Sequence, residues 1–463
     1  MRVLILAVNF CRKPYLVYPL GAAAAAEAAR RAGHEVRLAD LLAEGGFEGF
    51  QPGRLEELVK EFQPEAVGLS LRNLENLTGE ADESWSLGGL ATVTAALRQF
   101  WSGPVFLGGA GFSLLPEQAL AWSGADYGLT GEAEEALPVF LENLAAGRAV
   151  LGLQASPGPS AAIGPAALDP ALVRSYAGRG GLIGIQTKRG CAFNCLYCAY
   201  PLLEGRSLRF RPTDEVLDDL ARLAELLKSG PAKTGRPEPC IAFVDAVFND
   251  PAGRWRELLA ALAEARLPLR WTALFQPTAW APGDLELIRR SGAAGLEFGT
   301  DAASDPALSG LNKPFDFETI RRIQAECAAQ GLPAAHYVVF GGPGETEATV
   351  AEGLENLERL ENCVVFISAG WSVYPRTRLF DLARAEGLVA GEGELARPVY
   401  YFSPGLDPAW LRKRLDQAFQ NRRDRLFPPD RAWAASATLR RMGENGLLWD
   451  TLIGAGRRGS RRA

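Results

Sequence analysis

Apolar residues along the chain gather in short continuous runs, and between the runs they recur every three to four positions. Runs at 2–9, 35–38, 66–71 and 104–107 read as strands buried on both faces, with a helical pattern at 21–32 after the first. A Pro-, Gly- and Ala-rich stretch at 154–170 interrupts this rhythm. It resumes with strand-like runs at 182–186, 241–245, 269–275, 295–299, 335–340 and 364–370, separated by helical patterns at 214–228, 254–264, 282–290, 317–330 and 347–361. Strand and helix in alternation predict parallel sheets, because a parallel connection needs a crossover helix. The expected fold class is α/β, in four parts. A Rossmann-like domain covers 1–150, a linker 151–180, a (β/α)6 partial TIM barrel 181–387 and a mostly helical region 388–463.

Composition changes this picture little. With 463 residues, 48% hydrophobic and 22% charged, the chain is globular and long enough for two or three domains. The net charge of -6 names no partner. It is uneven: residues 411–463 carry 13 Lys plus Arg against 5 Asp plus Glu, a net of +8, which leaves -14 for the rest. A solvated helical face with a frayed Gly- and Arg-rich tail at 454–463 accounts for that block; contact with an anionic substrate, a lipid surface or nucleic acid is the alternative, and nucleic acid is not the expected partner. The apolar start is short, holds Arg2 and runs into Cys11-Arg12-Lys13-Pro14, so it reads as a first strand and not a signal peptide. No apolar span has the length of a membrane helix, and cysteines with metal-ligand spacing but no secretion signal point to the cytoplasm.

Candidate chemistry centres on Gly-Cys-Ala-Phe-Asn-Cys-Leu-Tyr-Cys, which places Cys191, Cys195 and Cys198 at a C-x-x-x-C-x-x-C spacing just after the run at 182–186. A structural zinc site needs four ligands, commonly as two pairs, and no second pair follows; the other four cysteines, Cys11, Cys240, Cys327 and Cys363, are scattered. Three thiolates on a short loop can instead hold three irons of a cubane and leave the fourth open to a small chelating ligand. In the first domain, Gly108-Gly109-Ala110-Gly111 follows the fourth strand, where glycine lets backbone approach a ligand closely. Ser70-Leu71-Arg72-Asn73 ends the third, and Gly131-Glu132 lies near the close of the domain.

The cysteine loop resembles the signature loop of the radical S-adenosylmethionine (SAM) enzymes, and the first domain resembles the cobalamin-binding domains joined to one class of them. The resemblance covers residues 1–385. It implies a [4Fe-4S] cluster on Cys191, Cys195 and Cys198, whose open iron takes SAM. Tyr197 within the loop, Asp245, Asn249 and Gln276 would meet SAM, with Glu297, Thr300 and Asp301 by its ribose and carboxylate and Gly341 and Gly342 along its adenine; Thr346 could simply cap a helix. Ser70, Leu71, Gly108, Gly109, Ala110, Gly131 and Glu132 would line cobalamin. The loop at 9–14 departs from the better-known cobalamin pattern: it lacks Asp-x-His-x-x-Gly, so no histidine reaches cobalt. Arg72, or secondarily Asn73, is expected below the cobalt, an ion pair of Arg72 with Glu75 being the alternative. His34 reads as a surface or packing residue, His336 as a core histidine, and Trp371 and Tyr374 as packing or corrin-facing aromatics. Arg206, Arg209 and Arg211 either support the cysteine loop or meet an anion.

The activity implied is that of a cobalamin-dependent radical SAM C-methyltransferase. Such enzymes methylate an unactivated carbon of a small-molecule, lipid or natural-product substrate through a 5'-deoxyadenosyl radical and methylcobalamin, with an electron donor such as flavodoxin or ferredoxin. A cyclase, oxidase or rearrangement enzyme without methyl transfer, and a non-catalytic cobalamin or redox sensor, are the alternatives. Methylthiotransferases carry a second cysteine triplet in their first domain, where this chain has only Cys11.

Overall fold

In a computed structural model the chain is described at residues 1–8, 10, 16–74, 86–154, 158–165, 167–228, 239–278, 280–429, 447 and 452–453. Asn9, Cys11, Glu75, Trp433, Trp449 and the tail at 454–463 lie outside the described residues.

Six parallel strands form the first sheet: β1 (Arg2–Ala7), β2 (Glu35–Asp40), β3 (Ala66–Ser70), β4 (Val105–Gly108), β5 (Tyr127–Leu129) and β6 (Gly152–Gln154). Their order is β2-β1-β3-β4-β5-β6. β1 is buried from Val3 to Ala7, because helices cover both faces of a doubly wound sheet. Gly68 in β3 leaves the space that the Phe106 ring of β4 fills: a Cβ there would lie 2.4 Å from it. The order reverses between β1 and β3, where Ala7 pairs with Ser70. Ligands of such sheets bind in the crevice at that switch point. β5 and β6 have three residues each, too few to show a period, and β6 continues the sheet into the stretch expected to be linker.

The rest of that stretch is not a loose connector. Asp169 caps a helix at Pro170–Gly178, accepting a hydrogen bond from the Leu172 amide at 2.8 Å. Val173 and Tyr176, three apart on that short helix, are buried. The Tyr176 hydroxyl donates to Asp40 Oδ2 at 2.8 Å, and the Tyr18 hydroxyl to the Ala167 carbonyl at 2.7 Å. Both hydrogen bonds fasten the connector to the first domain.

The second sheet runs β17-β14-β13-β12-β11-β10-β7, all parallel. Its strands are β7 (Ile183–Ile185), β10 (Cys240–Phe243), β11 (Arg270–Phe275), β12 (Leu296–Asp301), β13 (Ala334–Phe340), β14 (Cys363–Ala369) and β17 (Arg425–Leu426). Two antiparallel pairs flank it: β8 (Lys188–Arg189) with β9 (Arg209–Phe210), and β15 (Trp371–Ser372) with β16 (Tyr400–Tyr401). The first six parallel strands and their crossover helices fall where the apolar runs predict. β17 is an addition: two residues of the C-terminal region extend the sheet, so the described part of that region holds a helix (Pro408–Phe419) and short strands and is not mainly helical. β7 and β17 remain edges, leaving an open barrel with its strand carboxyl ends on one side.

Candidate active site

The cysteine loop springs from the carboxyl end of β7 and is braced from all sides. Gly190 has φ +96°, and a Cβ there would lie 2.2 Å from the Ser207 carbonyl oxygen, so only glycine fits the turn. Its amide donates to Glu204 Oε2 at 3.1 Å, and the Cys191 amide to the Gly205 carbonyl at 3.1 Å. Farther along, the Leu196 amide donates to the Leu311 carbonyl and the Leu379 amide to the Leu196 carbonyl, both at 3.0 Å. The Arg206 guanidinium donates to Asn194 Oδ1 at 2.9 Å. Of the two readings of the basic run, support of the loop describes these contacts.

Burial pushes all three thiols above their usual range, Cys198 to about 12; the charges of neighbouring thiols push Cys191 and Cys198 further, and that of Asp301 pushes Cys195. The Lys313 ammonium opposes both effects. A buried thiolate trio is stable when metal ions neutralise it, and three cysteines are the donor set of a site-differentiated cluster. Among the described residues no three His, Cys, Asp or Glu side chains are placed to hold a single metal ion. Cys240 and Cys363 open β10 and β14 at their amino ends, away from the loop.

Lys313 was not singled out by sequence reasoning. It follows Asn312, at φ +57°, and precedes a proline, a turn signature that turns the chain back on the cysteine loop. Its Nζ lies 3.6 Å from Cys195 Sγ and 3.4 Å from the Tyr197 hydroxyl, and it pairs with Asp301. The Tyr197 hydroxyl donates to Asp301 Oδ2 at 2.6 Å, and its ring packs on Trp371 with centroids 4.3 Å apart. Asp301 reaches this cluster because it shares a face of β12 with Glu297 and Gly299; the β12–β13 register slips between Phe298 and Asp301.

Thr300, expected beside SAM, falls on the opposite face of β12, with Leu296 and Phe298. Thr300 is fully buried and its hydroxyl lies 2.7 Å from His336 Nδ1, on the side of the sheet covered by the crossover helix Phe317–Ala329. His336 is the core histidine expected. Its Nε2 meets Gln324 Oε1 at 2.9 Å, while Gln324 Nε2 donates to the Glu361 carbonyl at 2.7 Å. The network assigns the proton to Nε2 and leaves Nδ1 to accept from Thr300.

Asp245 is likewise engaged inside the protein. Its carboxylate accepts from the Thr187 amide at 2.7 Å, the Thr187 hydroxyl at 2.5 Å and Lys188 Nζ at 3.0 Å, which pins the root of the cysteine loop. Asn249 bonds the Gln276 amide at 2.8 Å and the Gln276 and Thr278 carbonyls at 3.0 Å. Gln276 Oε1, in contrast, is buried at the end of β11 with no hydrogen-bond partner. Glu297 accepts from the Tyr337 hydroxyl at 2.7 Å and the Thr272 hydroxyl at 3.1 Å. The Gly341 and Gly342 amides both donate to the buried Glu345, at 2.5 and 2.7 Å, so that turn is closed by its own carboxylate.

In the first domain the two expected loops meet. The Leu71 amide donates to the Gly108 carbonyl at 2.9 Å and the Gly111 amide to the Leu71 carbonyl at 3.0 Å. Gly109 has φ +102°, and a Cβ there would lie 2.4 Å from the Leu71 carbonyl oxygen. Arg72 emerges beside this junction; burial raises Asp40, Tyr176 and Tyr200, and the charge of Arg72 opposes part of that rise. Its Nε is buried without a hydrogen bond, whereas Asn73 is exposed. Gly131 lies close by, its amide donating to Ser113 Oγ at 3.0 Å. Glu132 does not present its carboxylate to a ligand: Arg209 grips it at 2.5 and 2.8 Å and Arg189 at 2.8 Å.

Two contacts bring the domains face to face. The helix Tyr200–Leu203, which ends the cysteine loop, packs on the helix Ala110–Leu114, which follows the Gly-Gly turn. Arg376 donates to the Ser113 and Leu114 carbonyls at 2.9 and 3.2 Å.

Comparison with known proteins agrees with this layout. Residues 9–141 match the B12 binding domain and residues 185–357 the radical SAM superfamily. The chain is 23% identical to tryptophan 2-C-methyltransferase of Streptomyces laurentii, over 69% of this chain but only 65% of that protein. It is also 23% identical to cytidylyl-2-hydroxyethylphosphonate methyltransferase of Streptomyces wedmorensis, over 91% of this chain and 90% of that one. The fold superposes on the radical SAM methyltransferase TsrM from Kitasatospora setae, a structure with cobalamin and a [4Fe-4S] cluster bound, with a TM-score of 0.80 at 21% identity over 100% of this chain and 99% of that one.

Proposed function

We propose, for a chain that belongs by both of its domains to the cobalamin-dependent radical SAM proteins, that it methylates an unactivated carbon of a small-molecule substrate. The observation that supports this reading is the packing of the cysteine loop's helix on the helix after the Gly-Gly turn, which sets the two loops side by side. When bound, the cluster with SAM supplies a one-electron route to hydrogen abstraction, and cobalamin supplies the methyl group.

The residues have the following parts in this reading. Cys191, Cys195 and Cys198 hold the cluster. Gln276, with its unpartnered buried oxygen, is the strand-end side chain best placed to bind SAM. Ser70, Leu71 and the Gly108-Gly109-Ala110 turn offer backbone to the cobalamin tail. Arg72 would face cobalamin from the first domain, where its cation would favour the electron-rich state of the cofactor. The protein's share is to hold the reacting centres in register and keep water out. The electron comes from a low-potential donor of the flavodoxin or ferredoxin class, and the working place is the cytoplasm. Among the described residues no helix is long and apolar enough to cross a membrane.

The test is anaerobic reconstitution with iron, sulfide, cobalamin and methyl-labelled SAM, followed by mass spectrometry of candidate small molecules for a gain of one labelled methyl group. Cys195→Ala is expected to lose cluster absorbance and more than a hundredfold of turnover. Full iron content and turnover in that variant would remove the cluster assignment, and SAM cleavage without methyl transfer in the wild type would remove the methyltransferase reading.

A further inference from the structure

Lys313 is a deeply buried charged side chain beside the cysteine loop. Only 2% of its side chain is exposed, yet its ammonium reaches groups from two separate elements, Asp301 at the end of β12 and Cys195 and Tyr197 in the cysteine loop. Its Nζ also sits 5.6 Å from the ring centroids of Tyr197 and Phe315, which exclude water around it. A buried ammonium persists only when paired, and Asp301 supplies the pairing charge. The pair is oriented, with the ammonium against Cys195 Sγ and the carboxylate accepting from the Tyr197 hydroxyl.

We propose that Lys313 is a positioning residue whose fixed positive charge, held by Asp301 against Cys195, raises the reduction potential of the cluster on the three cysteines. The inference rests on the cluster reading above. A [4Fe-4S] core of charge +2 with three thiolates carries -1, and one electron from an external low-potential donor takes it to -2 with no proton moved. A neighbouring cation stabilises the more negative form, and in a water-poor site its field is weakly screened. Hydrogen bonds and charges at cluster sulfurs are among the levers that set such potentials. Asp301, also within the field of Cys195, acts with the opposite sign.

The experiment is an anaerobic dithionite titration of the reconstituted full chain without SAM, followed by EPR of the reduced cluster. At the wild-type midpoint, Lys313→Met is expected to lower the reduced-to-oxidised ratio about tenfold, a shift of about 59 mV for a one-electron couple. Asp301→Asn is expected to raise it, and Lys313→Arg to stay within about threefold of wild type. Opposite signs in the two charge-removing variants separate an electrostatic role from a loosened loop, which would move both the same way. If Lys313→Met does not retain iron, the upward shift of Asp301→Asn beside an unshifted Lys313→Arg carries the test. A wild-type chain that takes up no cluster overturns the cluster reading and this inference with it. A loaded wild type with unmoved or same-direction shifts in the variants overturns this inference alone, as does weaker SAM binding by Lys313→Met with no change in potential.

Discussion

His336 and Glu345 are buried ionisable groups in the same barrel whose protonation equilibria are displaced in opposite directions. Burial, helped by the charge of Arg425, lowers His336 to about 3, and the neutral ring is what Thr300 and Gln324 require. Burial raises Glu345 to about 7, although the Gly341 and Gly342 amides oppose it. The consequences for stability have opposite signs. Below its ordinary value of 6.5, His336 binds a proton only in the unfolded chain, so its contribution is present above 6.5 and is lost as pH falls toward 3. Glu345 binds a proton in the folded chain first, so its contribution is full below 4.5 and is lost as pH rises through 7. Between 4.5 and 6.5 the two nearly cancel. Glu345→Gln, which can still accept from both amides, is expected to lose stability relative to wild type by about 1.4 kcal/mol per pH unit as pH falls from 7 to 4.5. Urea denaturation across that range checks it, and a pH-independent difference would contradict the assignment. The same residues show where sequence reading stops. His336 was legible as core because it interrupts an apolar run. Thr300 was misplaced because it was grouped with Glu297 and Asp301, although the period of two puts residue 300 on the other face of the strand, with Leu296 and Phe298.

At the scale of elements, periodicity located the helices and long strands of the barrel to within a few residues, since each buries a stripe or face that must repeat. It could not show β5, β6 or β17, which have two or three residues and are strands only because a neighbour pairs with them. Nor could it show how the elements are tied. Glu132 follows β5 in the first domain, while Arg189 and Arg209 form the β8–β9 hairpin at the root of the cysteine loop, and Arg189 also holds Glu134 at 2.6 Å. The Glu132 side chain is 7% exposed, so removing its charge takes the ion-pair partner from Arg209 and leaves Arg189 with Glu134 alone. Breaking a buried pair of this kind costs about 3 kcal/mol. Glu132→Gln is therefore expected to destabilise the docking of the two domains, splitting the calorimetric transition or moving it down by several degrees, while Glu134→Gln, which leaves Glu132 in place, does less. Equal effects of the two, or none, would show that Glu132 is not the hub.

Across the whole molecule, the two cofactor loops can work together only if the first domain is held over the strand carboxyl ends at a fixed height. The connector helix, the Glu132 pairs and Arg376 share that task, and Arg376 acts at the mouth itself, beside the packing of Tyr200–Leu203 on Ala110–Leu114. It has φ +60°, a conformation a side-chain-bearing residue adopts at some cost, and its guanidinium bonds the last carbonyls of the helix Ala110–Leu114. Strain at that position is kept because the contact sets where the Gly-Gly turn stands relative to the cysteine loop. Arg376 lies outside the cysteine loop and the Ser70–Asn73 and Gly108–Ala110 loops, so its loss should leave both cofactors bound and change their separation. Arg376→Ala is expected to keep wild-type iron and corrinoid content and to cleave SAM at a near-normal rate, yet to deliver at least tenfold less methylated product per SAM cleaved. The ratio of product to 5'-deoxyadenosine, measured by mass spectrometry on one reaction, reads this directly. A proportional fall in both would mean that Arg376 supports the cysteine loop and not the alignment of the domains, because only misalignment uncouples hydrogen abstraction from methyl delivery.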